Sequence, residues 1–213
     1  MDENILKNYS LLDRFNVSRE TCLDFERLIS MISSKNENIN IIGKKTSKNA
    51  EIRKRHIIDS AQVIDIIDKN AKTCVDLGSG SGLPGLVLAI IFKKKGSTIK
   101  FELYEKSQKK SNFLRKMIKH FDLNAEVKQK NIFEERKLKA DIIIARAFKP
   151  LQTILELIDK KFVQYNRLIF FLGKSGRDVI NECLKSWKFD YQIIKSLTDV
   201  NSVIVKINNL RKI

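Results

Sequence analysis

From residue 72 onward the chain alternates between short apolar runs and amphipathic runs of helical period, and this constrains the fold more than any other feature. Strands are predicted at 72–77, 98–104, 125–129, 140–145, 166–172, 189–196 and 202–208. Helices fit between them at 84–94, 107–120, 150–162 and 176–186. Such alternation implies a mostly parallel sheet with both faces covered. Only "SLTDVN" separates the last two strands, so they should pair as an antiparallel hairpin.

The first third reads differently. Residues 3–36 are predicted helical, with Ile5, Leu6, Leu11, Leu12 and Phe15 in step, then Leu23, Phe25, Leu28, Ile29 and Ile32 after a Ser18 cap. A further helix is predicted over 48–68, with Ile57, Ile58, Ala61, Ile64 and Ile67 on one face. The expected division is an N-terminal helical extension, 1–70, and an α/β domain, 71–213. The longest apolar run, Leu86 to Phe92, is too short to span a bilayer, and "MDENILKNYS" has no apolar signal core. A cytoplasmic protein with no membrane partner is therefore expected. Cys22, Cys74 and Cys183 lie far apart and form no metal-ligand spacing, so no metal is expected and all three read as small buried or half-buried residues.

The chemistry is concentrated in "VDLGSGSGLPG". Gly80, Gly82 and Gly85 satisfy G-x-G-x-x-G, a weak signal alone, but here it follows a strand and opens a helix. Glycines there permit a tight turn and close approach of backbone to a ligand. Asp76 stands just before the loop. A carboxylate in that place suits a sulfonium and an ammonium and repels a pyrophosphate. The stretch resembles motif I of S-adenosylmethionine (SAM) methyltransferases, and a seven-stranded, mostly parallel sheet ending in a hairpin is the layout of the Rossmann-like class I SAM-dependent methyltransferase fold. Glu105, twenty positions after Gly85, is the acid expected to accept hydrogen bonds from ribose hydroxyls. Nicotinamide proteins use an acid similarly, so Glu105 supports a nucleoside without choosing between them. Glu102, inside the strand, is the weaker candidate.

The net charge of +16 attracts phosphate backbones. It is uneven: residues 1–70 carry 12 basic and 11 acidic side chains, whereas 71–150 carry 18 and 8. The excess sits on the part with the glycine loop, which favours a nucleic-acid partner. The acceptor is narrowed by what is missing. Pro84 and Pro150 are the only prolines, so the Asn/Asp-Pro-Pro-aromatic motif of amino-methylating enzymes is impossible, and no Pro-Cys of the cytosine-C5 enzymes occurs.

"VDLGSGSGLPGLVLAI", "RHIIDS" and "ARAFKPLQTILEL", in that relation along the chain, resemble the bacterial RsmG family, also called glucose-inhibited division protein B. The resemblance implies methylation of N7 of one guanine in the 530 loop of 16S ribosomal RNA, with SAM as cofactor and the RNA or the small subunit as partner. It implies cofactor contacts at Gly78 and Leu83, an adenine-side pair at Asn131 and Ile132, and an arginine, Arg146, closing the site. Many members have an acid where Ile132 stands, and Asn-Leu-Thr where "NIIGK" holds Ile42 after Asn40. With the glycine-loop reading, the expected cofactor-binding set is Asp76, Gly78, Ser79, Gly80, Gly82, Leu83, Glu105, Asn131, Ile132 and Arg146. No catalytic base is expected. Arg146, His56 and Asp59 are candidate positioning residues; His56 shares a helix face with Ser60, four positions on, and lies three from Asp59, so it is equally readable as a packing histidine satisfied by Asp59. Lys44, Lys45, Lys48, Arg53 and Arg55 are candidate RNA contacts. The basic "KSQKKSNFLRKMIK" stays open between RNA binding and a solvated helix face. A monomer is expected. The rival readings are a SAM methyltransferase acting on another RNA, a protein or a small molecule, and an RNA-binding module with a vestigial loop.

Overall fold

The computed structural model describes residues 3–36, 41–43 and 47–213. Two helices open the chain, α1 (Glu3–Lys7) and α2 (Arg19–Asn36), with a 3₁₀ turn at Ser10–Phe15 between them. The helical stretch expected over 3–36 is thus divided, and its second part starts at the expected Ser18 cap. Asn16 adopts a left-handed conformation (φ 51°) and ends the 3₁₀ turn. Ser18 then caps α2, its Oγ accepting the Thr21 N–H at 3.2 Å. The predicted helix over 48–68 is also subdivided. It runs as α3 (Asn49–Ile52), a π-helical turn at Arg53–Ile58, α4 (Asp59–Ala61) and a 3₁₀ turn at Ile64–Ile66.

The alternating part follows as β1 (Thr73–Leu77), α5 (Gly85–Lys94), β2 (Lys100–Tyr104), α6 (Gln108–Phe121), β3 (Ala125–Lys128), β4 (Leu138–Lys139), β5 (Ile142–Arg146), α7 (Leu151–Lys161), β6 (Phe162–Gln164), β7 (Arg167–Leu172), α8 (Gly176–Cys183), β8 (Trp187–Lys195) and β9 (Val203–Lys212). Seven strands form one sheet in the order β3-β2-β1-β5-β7-β9-β8, parallel except around β9, which pairs antiparallel with β7 and β8. The expected α/β architecture, with its hairpin, is what forms. The short parallel pair β4·β6 was not expected.

Packing explains the apolar run of α5. Leu86 to Phe92 are all buried, because one side of the helix lies on the sheet and the other under the helical extension. Side chains of α2, α4 and α5 accordingly share one hydrophobic cluster with β2 and α6. The other face of the sheet is covered by α7 and α8. Helix α6 is amphipathic, burying Phe113, Leu114, Met117 and Phe121, and Asp122 (φ 48°) ends it. Cys22, Cys74 and Cys183 are buried and free. No helix among the described residues is long and apolar enough to cross a membrane.

Connections leave β1 toward β2 on one side, and β5 leads toward β7 on the other. The connections leaving the neighbours β1 and β5 therefore diverge at the strands' C-terminal ends, where open sheets of this kind form their ligand crevice. Leu77 and Ala145 are register partners, so Gly78 and Arg146 emerge side by side at that crevice.

Candidate cofactor site and its bracing

Asp76 lies near the end of β1 and is only 1% exposed. One carboxylate oxygen, Oδ2, accepts the Gly85 N–H at 3.0 Å. The other, Oδ1, is buried without a hydrogen-bond partner. Burial pushes this carboxyl up to about 7, against the opposing pull of the Gly85 N–H. A buried acid with one orphaned oxygen at a glycine loop is incomplete by itself, and a cationic group brought to it supplies the missing partner. The ammonium and sulfonium of a methionine end fit that donor-poor, acid-lined place.

The loop is shaped for close backbone approach. At Gly82 (φ 88°), a Cβ would lie 2.2 Å from Leu86 Cδ1. At Gly85 it would lie 2.6 Å from Asp76 Oδ2, so a side chain there would push the acid out of place. Ser79 donates its N–H to the Tyr104 carbonyl at 2.9 Å and its Oγ to the Asp76 carbonyl at 3.2 Å, anchoring the loop to β2 and β1. Leu83 is buried beneath it.

Glu105 follows β2 and is mostly buried. Its Oε2 accepts the Gly80 N–H at 3.0 Å and its Oε1 accepts the Ser107 N–H at 2.7 Å. Each oxygen keeps acceptor capacity for a hydroxyl. The carboxylate thus fastens the glycine loop to the start of α6 while still offering a ribose clamp. Glu102 instead faces Lys100 and Lys128, 3.9 and 4.0 Å away, in a surface cluster. Asn131 is spent locally: its Oδ1 accepts the Phe133 N–H at 3.3 Å and its Nδ2 donates to Glu134 at 2.8 Å. Ile132 is buried. The adenine-side pair therefore has backbone groups, rather than a free polar side chain, to offer a base.

Arg146 ends β5 and ties the crevice to the extension. Its Nη1 donates to the His56 carbonyl and to Ser60 Oγ, both at 3.3 Å, and its Nη2 donates to the Arg55 carbonyl. Nη2 also lies 3.2 Å from Asp59 Oδ2. The widened π turn presents the two carbonyls that this one guanidinium collects. Asp59 Oδ1 accepts from Gln62 at 2.7 Å, Ser196 at 2.9 Å and Thr198 at 3.1 Å. Asp59 is therefore the partner of Arg146, Gln62 and the β8–β9 turn. Burial, then the charges of Arg146 and Arg55, hold His56 down to about 4, so it is neutral at pH 7.

Two aromatic residues were missed in the sequence. The Phe148 ring packs on Gly78, where a Cβ would come within 2.2 Å of Cδ2, and it stacks on Phe133 with centroids 6.0 Å apart. Their spacing alone, two residues after Arg146 and one after Ile132, marks them as crevice neighbours.

The candidate RNA contacts separate. Lys48 is exposed. Arg55 is half-exposed, near Glu51 (3.2 Å) and Asp199 (3.6 Å). Arg53 does not face outward as an RNA contact would. Its Nε and Nη2 grip Glu26 at 2.6 and 2.8 Å, and Tyr9 donates its hydroxyl to the same carboxylate at 2.7 Å. That pairing closes α2 onto the π turn. Asn40, Lys44 and Lys45 lie outside the described residues.

Comparison with solved structures places the fold among SAM-dependent methyltransferases. A ribosomal protein L11 methylase from Lactobacillus delbrueckii subsp. bulgaricus superposes with a TM-score of 0.55 at 14% identity, covering 73% of this chain and 78% of that one. TrmK from M. capricolum, solved with S-adenosyl-homocysteine, gives 0.51 at 19%, covering 70% and 66%. At the level of sequence, the ribosomal RNA small subunit methyltransferase G of Pelagibacter ubique is 49% identical over 210 residues, 99% of each chain. Its counterpart in Cereibacter sphaeroides strain ATCC 17029 is 32% identical, covering 94% of this chain and 97% of that one. The GidB family model, described as rRNA small subunit methyltransferase G, matches residues 21–208. The glycine loop, the Arg146 brace and the helices that it holds all fall within that match, and the chain belongs to this family.

Proposed function

We propose that the protein transfers a methyl group from SAM to N7 of a guanine in the 530 loop of 16S ribosomal RNA, acting as a cytoplasmic monomer. The observation that carries the reading is the buried Asp76, with its orphaned oxygen beside the glycine loop, in a chain of this family. SAM supplies the methyl group on a sulfonium. Asp76 orients the methionine end through charge. Glu105 holds the ribose and, through Gly80, the loop itself. Arg146 stays locked to Asp59 and the π turn, so its role is to fix the wall of the crevice rather than to exchange protons.

Guanine N7 bears a free lone pair on the major-groove edge. No proton has to leave before it attacks, so no general base is required, and a His56 that is neutral at pH 7 agrees with this chemistry. Catalysis then rests on holding the two reactants in line. The test is methyl transfer from labelled SAM to 16S RNA and to small subunits from a strain lacking this gene, with strand cleavage at N7-methylguanine. One cleavage in the 530 loop is expected. Label at another nucleotide would overturn the position, and label in protein alone would overturn the substrate.

A further inference from the structure

A groove of about 830 Å³ runs between α2 and α6. Among the described residues, Met31, Phe113 and Met117 form its apolar floor, and Lys35, Lys109 and Lys116 stand on its rim. We propose that this groove seats a strand of the substrate RNA, phosphates on the three lysines and sugar–base faces on the floor. The proposal rests on the reading of the protein as an RNA methyltransferase and gives that enzyme a docking track.

Charge is the first argument. The three rim lysines are exposed, and none has a carboxylate partner among the described residues. Several lysines elsewhere are neutralised: Lys93 by Asp122, Lys94 by Asp24, Lys100 and Lys128 by Glu126, and Lys130 by Glu135. Over its whole length α6 carries five Lys or Arg and no Asp or Glu. Unpaired positive charge facing one groove gathers phosphate.

Position is the second. Helix α6 starts three residues after Glu105, the acid that holds the cofactor loop through Gly80. Lys109, in its first turn, therefore lies at the end of α6 that Glu105 ties to the glycine loop. The helix surface is also stiffened. Gln108 donates to Asn112 at 2.9 Å, Arg115 donates to Asn112 at 3.0 Å and to Gln129 at 2.8 Å, and Gln129 donates to Gln108 at 2.6 Å. A fixed face loses little entropy when it receives a strand.

The experiment compares two triple variants of equal net charge. One is Lys35→Gln, Lys109→Gln, Lys116→Gln. The other is Lys160→Gln, Lys161→Gln, Lys188→Gln, at the end of α7 and on the edge strand β8, none of them lining the groove. For the groove triple, KM for the RNA should rise roughly 10- to 100-fold, with unchanged SAM affinity and melting temperature. The log–log salt slope of RNA binding should fall by about 2, as expected for three lost single-strand phosphate contacts. The second triple should shift KM less than about threefold. Equal effects of the two triples would overturn the proposal, because net charge alone would then explain them. So would a groove triple that binds naked 16S RNA normally and fails only on assembled subunits, which would assign the groove to a ribosomal protein. If the unaltered protein methylates no ribosomal RNA, the proposed function fails, while the salt slopes still judge the groove.

Discussion

Arg146 Nη2 lies 3.2 Å from Asp59 Oδ2, and this one ion pair joins the end of β5 to the helical extension. The two side chains are 17% and 13% exposed, and both carry further hydrogen bonds. Removing either partner leaves the other charged and largely buried. Arg146→Ala and Asp59→Ala should each cost about 3–5 kcal/mol. The double variant should cost less than their sum, by about 1–3 kcal/mol, in a denaturant-melt cycle. Simple additivity would show that the pair braces nothing.

Asp76 costs the unliganded fold stability at neutral pH and above. Burial raises its folded pKa to about 7 from an ordinary 3.8. The sign follows from the raised value: stability is full below the unfolded pKa and is lost as pH rises through about 7, a loss approaching about 4 kcal/mol. Asp76→Asn should therefore melt about 3–8 °C higher than the parent at pH 8 without ligand. The same variant should lose measurable SAM binding by calorimetry. Retained SAM affinity would remove Asp76 from the site.

The same carboxyl sets a pH dependence of binding. The ionised form is the one that receives a cation, so protons compete with the ligand. SAM affinity should be about tenfold weaker at pH 6 than at pH 8. Asp76→Asn cannot show this slope, which serves as the internal control. A flat profile in the parent would mean that the acid is already ionised at pH 6.

Gly82 and Gly96 both have positive φ, 88° and 68°, and differ in their surroundings. A Cβ at Gly82 meets Leu86 and Leu114, whereas nothing lies within 4 Å at Gly96. Gly82→Ala should cost about 2–4 kcal/mol and weaken SAM binding. Gly96→Ala should cost only about 1 kcal/mol and leave binding alone. Urea melts of the two variants check the contrast.

Arg53 and Arg55 sit two apart in one basic stretch and should behave oppositely. Arg53→Gln breaks the grip on Glu26 and should lower stability by about 1–3 kcal/mol without changing KM for RNA. Arg55→Gln should change stability by less than about 0.5 kcal/mol, since its partners are surface carboxylates, and should raise KM for RNA several-fold. The carbonyl of Arg55 that meets Arg146 survives either change.

The sequence already carried the strand–helix alternation, because buried parallel strands and amphipathic helices leave different periods. Asp76, the glycine loop and Glu105 were legible for a similar reason: local chemistry fixes them within a few residues of the chain. The π turn was not. "RKRHII" has the same apolar spacing as an α-helix, and what distinguishes it is an arginine 90 positions away that collects its carbonyls. Arg53 looked like its basic neighbours for the same reason, since its partner Glu26 is 27 positions earlier. The pair β4·β6 contributes two and three residues, too few to show a period.

Asp59 has a further consequence, for the order in which the newborn chain matures. Its acceptor oxygens wait for Arg146, Ser196 and Thr198, the last two lying 137 and 139 residues downstream. The early helices are translated long before these partners, and the contacts of Asp59 to Ser196 and Thr198 form only once β8 and the turn after it have been made. The bracing of Asp59 is therefore assembled in two stages, and a chain cut short before Ser196 would leave this carboxylate without two of the hydroxyl groups that hold it.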